Sequence, residues 1–480
     1  MQKTNIGLAV LFVAGCSGGS SGTNGTDASH SHDGATSDGV RSDGGIDANP
    51  RCPTPPRPTP TLSRGLRWVR ENPTFISGLM VRMGNPPASF VNEYYDTFGA
   101  NAAHLWQDGL PNLITAWRTA RPTARWLSWV EANGTGTNGQ VLGGYPANVP
   151  GRIGYQVSDE PRTTQQLDAM GQGAAAIRAA DPNALIVFNY TYAADGIEGM
   201  LDRAAAMYDH DIISHDDYSA SRKVYGHLDI FRKQALADNR AYWAYLNSYY
   251  GNNTHDFQPA ESDMRWNAFS HALYGFTGFS WFVYQITQNN EDLIPTFFDA
   301  TGSYSANPTT TRSRAATINR ELLNLQRSMS QLRSTDVRYN PVSSIAQPAG
   351  TQRWSAGAGG DRYIESITSE TSGSEQLMGF FKDDYGDGYV MIMNPNHQNA
   401  DLISANNNAQ TIRVNFNFAA AGECLDRTRV RSLNKVTGAV VDLPLIDDGG
   451  GKAHLVVTLA AGDPVLFKYA NEIPFAMATW

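Results

Sequence analysis

Between about residues 65 and 335 the chain alternates short apolar runs of strand length with runs of helical period, and this alternation constrains the fold more than any other feature. Strand-like runs fall at 75–83, 102–106, 125–130, 152–157, 184–190, 211–215, 241–246 and 279–284. Helical patterns follow several of them, at 88–98, 110–119, 163–180, 196–207 and 261–274. In the 163–180 pattern Leu167, Met170, Ala174 and Ile177 recur at spacings of three and four, one buried stripe, and Asp181-Pro182 stops the helix. Eight strand-like runs alternating with helical patterns predict a (β/α)8 barrel, which typically takes about 250 residues. An open doubly wound sheet is the alternative, but no glycine-rich dinucleotide fingerprint follows an early strand.

The flanks differ from this body. Residues 336–480 carry short alternating strands at 389–393, 411–416 and 454–459, with turn signals at Thr437-Gly438 and Asp448-Gly449, the pattern of an antiparallel β-sandwich. The barrel domain is thus expected at 63–335 and the sandwich at 336–480. Lys plus Arg total 37 against 46 Asp plus Glu, a formal charge of −9, which argues against a nucleic-acid partner. No run of about 20 apolar residues is present to span a membrane as a helix.

The first residues read as an address. Lys3 precedes an apolar run from Ile6 to Ala14, which ends in Val13-Ala14-Gly15-Cys16. This resembles the lipobox of bacterial lipoproteins. The resemblance implies a signal peptide over 1–15, cleavage before Cys16 and lipidation of its thiol. Ser17 then implies sorting to the outer membrane, so the only membrane contact expected is the lipid anchor. Residues 16–62 read as linker, first Gly-, Ser- and Asp-rich and then Pro-rich. With Cys16 lipidated, Cys52 and Cys424 remain as a candidate disulfide in an exported compartment. A monomer is expected.

In a barrel of this kind chemistry sits at the C-terminal ends of the strands. Those ends carry Trp106, Glu131, Asp159-Glu160-Pro161, Asn189-Tyr190, Asp216-Asp217-Tyr218, Tyr245, Asn247, Trp281 and Tyr284. Rings stack on sugar faces, and carboxyls and amides hydrogen-bond hydroxyls, so the expected partner is a carbohydrate. Glu160 is the candidate general acid/base and Asp159 its partner, with Asp217 as a further candidate catalytic carboxylate. The same Asp-Glu-Pro run also suits the first turn of a helix. Trp106, Asn189, Tyr190, Tyr218, Tyr245, Asn247, Trp281 and Tyr284 are the candidate sugar contacts. No metal-ligand spacing and no cofactor motif emerges. Asp383-Asp384-Tyr385-Gly386-Asp387-Gly388 lacks the downstream Glu of a calcium loop and reads as a hairpin turn.

On these residues the chain resembles clan A glycoside hydrolases, which place the acid/base Glu at the end of strand four. Arg265-Trp266 with the 272–281 run is similar to their seventh helix and eighth strand. The 298–302 and 318–322 segments are similar to the exit from the barrel in β-galactosidase-like members. The resemblance departs at strand seven, where those enzymes carry a nucleophilic Glu and this chain has Asn247. Three readings stay open. The Asp-Glu-Pro run is similar to family 123 N-acetylhexosaminidases, which implies that the substrate's own acetamido group attacks. Asp217 or Glu131 can instead supply the second carboxylate. Or the protein is a non-catalytic glycan-binding lipoprotein. The anchor is tested on its own: a radiolabelled fatty acid is expected to mark the protein in cells, and Cys16→Ser to abolish the label. Equal labelling of both forms refutes it.

Overall fold

A computed structural model describes residues 52, 54–81, 88–106, 111–131, 149–192, 196–219, 221–248, 259–286, 310–341, 346–371, 375–397, 409–422 and 424–480. Cys16, the linker before Cys52 and the 298–302 segment lie outside these residues. Eight parallel strands close a barrel in sequence order: β1 (Phe75–Val81), β2 (Ala103–Trp106), β3 (Trp126–Val130), β4 (Arg152–Val157), β5 (Leu185–Thr191), β6 (Ile212–Asp216), β7 (Ala241–Asn247) and β8 (Gly278–Ile286). Outside them run α2 (Ala88–Asn92), α3 (Pro111–Ala120), α4 (Thr164–Ala180), α5 (Ile197–Met207), α6 (Val224–Ala237), α7 (Glu261–Tyr274) and α8 (Thr310–Met329). Thr163 caps α4 reciprocally with Gln166, and the stripe Leu167, Met170, Ala174 and Ile177 is buried.

A helix absent from the sequence reading, α1 (Arg64–Glu71), is capped by Ser63 and lies across the bottom of the barrel. Its Val69 packs with Phe75, Leu127, Ile153, Leu185, Val187, Ile212 and Trp243, the apolar plug at the strands' N-terminal ends. Phe75 and Trp243 stack with centroids 4.6 Å apart. This plug fixes the phase of the inward alternation. One step up, the inward residues turn polar: His104, Gln156, Asn189, Ser214, Tyr245 and Ser280, all buried.

Two antiparallel sheets follow. The six-stranded one runs β15 (Val440–Pro444), β14 (Arg429–Leu433), β18 (Pro464–Tyr469), β12 (Gly388–Met393), β11 (Gln376–Lys382), β9 (Arg333–Asn340). The four-stranded one runs β10 (Ile364–Ser369), β13 (Gln410–Asn417), β17 (Lys452–Leu459), β16 (Ile446–Gly449). Their shared core includes Met378, Phe380, Val390, Ile412, Val414, Phe416 and Phe467. Cys52 and Cys424 are joined by a disulfide, with Cα atoms 5.6 Å apart. The Asp383–Asp387 stretch is the β11–β12 turn. Its Asp384 binds Arg57 and Arg70 beneath the barrel.

The sandwich docks on α7. Gly379 of β11 meets the helix so closely that an added Cβ would sit 2.6 Å from the Leu273 carbonyl oxygen. Trp266 stacks on His397, centroids 4.2 Å apart. Arg265 of α7 pairs with Glu321 of α8 and Asp463 of the sandwich, and Lys435 reaches the same two carboxylates at 2.9 and 3.2 Å. Removing one partner of a buried ion network leaves uncompensated charge, typically about 3–5 kcal/mol. Arg265→Met is therefore expected to lower unfolding stability by about that much in urea melts followed by tryptophan fluorescence. An unchanged midpoint and slope contradict this.

Candidate active site

The barrel's alternation decides which strand-end residues meet. On β5 the plug residues Leu185 and Val187 face inward, so Asn189 does too, while Tyr190 faces the helices beside Phe231 of α6. On β6 Ile212 faces inward, so Asp216 does. Asp217 turns away, and its carboxylate accepts from the Ser219 amide at 2.9 Å and pairs with His227 of α6 at 2.7 Å. Burial works to raise the Asp217 carboxyl, but the His227 hydrogen bond, His215 and the Ser219 contacts outweigh it and leave the group lowered.

Asn189 holds the site together. Its amide nitrogen donates to Asp159 Oδ1 at 2.8 Å and to Asp216 Oδ2 at 3.0 Å. Gln156 of β4 adds a second donor to Asp159 Oδ1 at 3.2 Å. The Glu160 side chain lies beside the Asp216 carboxyl. On its outer side Glu160 pairs with Arg162 at 3.2 Å.

Three carboxyls from two strands thus converge at the barrel mouth. Burial, then the negative charges of Glu160 and Asp159, pushes Asp216 well above the usual carboxylate range. Burial, offset in part by Asn189 and reinforced by Glu160, pushes Asp159 up to about 7.

Neighbouring residues of a regular strand face opposite ways, yet Asp159 and Glu160 both reach this cluster. The backbone makes that possible by leaving the strand: Ser158 and Glu160 take φ of +56° and +37°. Such left-handed conformations cost non-glycine residues on the order of 1–3 kcal/mol each.

Several polar atoms around the cluster are buried without a hydrogen-bond partner: Asn189 Oδ1, Asp216 Oδ1, and both amide atoms of Asn247 at the end of β7. Buried polar groups are normally satisfied, and these four atoms are not. Tyr218 packs on Phe282 with the rings tilted by 31° and centroids 5.0 Å apart, as an aromatic wall next to them.

Other sequence-predicted contacts fall elsewhere. Tyr190, Trp281 and Tyr284 belong to the core between barrel and helices, which corrects their expected role as sugar contacts. Trp281 donates to Asn319 of α8 at 2.7 Å. Tyr284 donates to Glu93 and packs edge-on to Tyr94. Asp217 is likewise a partner of His227 rather than of Glu160, and Asp216 takes the place expected for it. Tyr245 faces inward, but its hydroxyl is committed to Gln156. Glu131, just past β3, is partly buried and raised by desolvation. Trp106 ends β2, and its side chain is outside the described residues. Among the described residues no His, Cys, Asp and Glu group is arranged to hold a metal ion.

No protein-family model matches the chain, and no curated protein matches its sequence. Solved structures similar to it include a family 27 β-L-arabinopyranosidase from Geobacillus stearothermophilus, 10% identical, TM-score 0.42, over 85% of this chain and 98% of that one. A family 5 glycoside hydrolase from Bacteroides vulgatus is 10% identical, TM-score 0.45, over 85% and 91%. A β-galactosidase from Halorubrum lacusprofundi is 10% identical, TM-score 0.42, over 82% and 98%.

The raised Asp159 carboxyl has a stability consequence with a definite sign. The folded state favours its proton, so the stabilisation is complete below about pH 4 and is lost as pH rises to about 7. Asp159→Asn keeps the acceptor oxygen and removes the charge. Its melting temperature should exceed the wild type's by a margin that grows from pH 4 to pH 7 and then levels off. A margin independent of pH contradicts the assignment.

Proposed function

We propose that the protein is a glycoside hydrolase acting on a polysaccharide or glycan, with its acid and base drawn from the Asp159–Glu160–Asp216 cluster. The observation that carries this reading is the convergence of three carboxyls at the barrel mouth beside buried, unpartnered amide and carboxyl oxygens. Asp159 is partly solvent-accessible and holds its proton to about pH 7, which suits donation to a glycosidic oxygen. Glu160, partly exposed and ion-paired to Arg162, is the carboxylate that supports the positive charge developing on the sugar ring. This exchanges the two roles expected from sequence, where Glu160 held the proton. Asp216, deep and protonated, keeps a neutral acid between its two neighbours. Asn247, Asn189 and Asp216 bind hydroxyls, and the Tyr218–Phe282 pair offers an apolar face to a sugar ring. A lipid on Cys16 holds this enzyme at the bacterial outer membrane.

The test is product formation on a panel of aryl glycosides and glycans covering both simple hexosides and N-acetylhexosaminides. Asp159→Asn and Glu160→Gln are each expected to lose about 10²–10⁴-fold in rate with the fold intact. Asp217→Asn should retain most of the activity. For the wild type, activity should fall as pH rises through about 7, where Asp159 loses its proton. Binding without product on every substrate class refutes the enzyme and favours a glycan-binding protein.

A further inference from the structure

We propose that Tyr245 is a positioning residue that acts on Asp159 through Gln156, the outer end of a buried hydrogen-bond chain crossing the barrel interior. Gln156 Nε2 lies 3.2 Å from Asp159 Oδ1, and Gln156 Oε1 accepts from the Tyr245 hydroxyl at 2.8 Å. With its hydrogen so used, the Tyr245 oxygen remains an acceptor facing the His104 ring, whose nitrogens are each 3.4 Å away. His104 Nδ1 is in turn 3.1 Å from Ser280 Oγ. The chain draws on β4, β7, β2 and β8, and Gln156, Tyr245, His104 and Ser280 are each at most 3% exposed. Burial lowers the His104 imidazole to about 3, so the ring is neutral and adds no charge beneath the cluster.

The inference rests on the glycosidase reading only for its kinetic consequence. An amide can turn either edge to a neighbour. With its nitrogen towards Asp159, Gln156 stabilises the ionised carboxylate; with its oxygen there, it accepts the proton of the neutral acid. The Tyr245 hydroxyl, donating to Gln156 Oε1, holds the first orientation together with the Ser158 carbonyl, which accepts from Nε2 at 3.3 Å. Removing that hydroxyl takes away the donor at 2.8 Å that fixes Oε1, loosens the edge that Nε2 presents to Asp159, and so weakens a bond that favours the ionised carboxylate. The other groups facing Asp159 are Glu160 beside it, Asp216 from β6 and Asn189 from β5, and none is altered by the change at Tyr245.

The experiment is a titration of Asp159 by carbon NMR on protein labelled at aspartate carboxyls, with Asp159→Asn identifying the resonance. In Tyr245→Phe the midpoint should rise by about one pH unit, a tenfold gain in proton affinity. Gln156→Met, of similar volume, should raise it as well and serves if Tyr245→Phe does not fold. On any glycoside turned over, the alkaline limb of the pH–rate profile should move with the midpoint. A folded variant with an unmoved midpoint overturns the proposal, whatever its activity. A moved midpoint with no glycoside cleaved upholds the chain and fails the glycosidase reading instead.

Discussion

Asn189 uses both hydrogens of its side-chain amide on carboxyls, one at the end of β4 and one at the end of β6. That interaction requires Asn189, Asp159 and Asp216 to point into the barrel at the same height. The apolar plug of Phe75, Ile153, Val187 and Trp243 beneath them sets this height and phase. Two acids brought together around one amide cannot both ionise cheaply in a buried site, so the proton they retain follows from the packing. The site's chemistry thus descends from the barrel's register, and the register from the plug that α1 completes.

Outside the barrel, the described residues of the sandwich add no group to the carboxyl cluster. It packs on α7 through Gly379, Trp266 and the Arg265 network, on the side of the helix away from the site. Its contribution is to hold α7. Asn267 of that helix receives the backbone amide of Asn247, which places the free Asn247 side chain at the mouth. In this way the second domain supports the site from behind α7.

The barrel was legible in the sequence because eight apolar runs separated by helical periods leave few other solutions. Strand limits such as 152–157 matched the structure, and so did the rim on which the acids fall. The direction of each side chain was not legible. A strand such as Leu185–Thr191 is buried on both faces, so its apolar run gives no phase, and Asn189 could not be told from Tyr190. The same ambiguity favoured Asp217 over Asp216 and Trp281 over Phe282. At Asp159-Glu160 the alternation itself breaks through two left-handed residues, which no periodicity announces. Gln156 and His104 were overlooked because interior polar residues of a barrel acquire meaning only from their partners across it. A short helix such as α1, with Arg, Trp and Glu in its eight residues, carries little periodic signal beyond its serine cap.

The central claim is that the carboxyls at this mouth act on a glycosidic bond. A sugar-shaped epoxide, which alkylates the carboxylate of a glycosidase that protonates it, tests this directly when followed by peptide mass spectrometry. The account predicts one equivalent of label on Asp159, Glu160 or Asp216, with labelling slowed by a competing glycan. Label on Asp217, on Glu131 or on a carboxylate of the sandwich would contradict it.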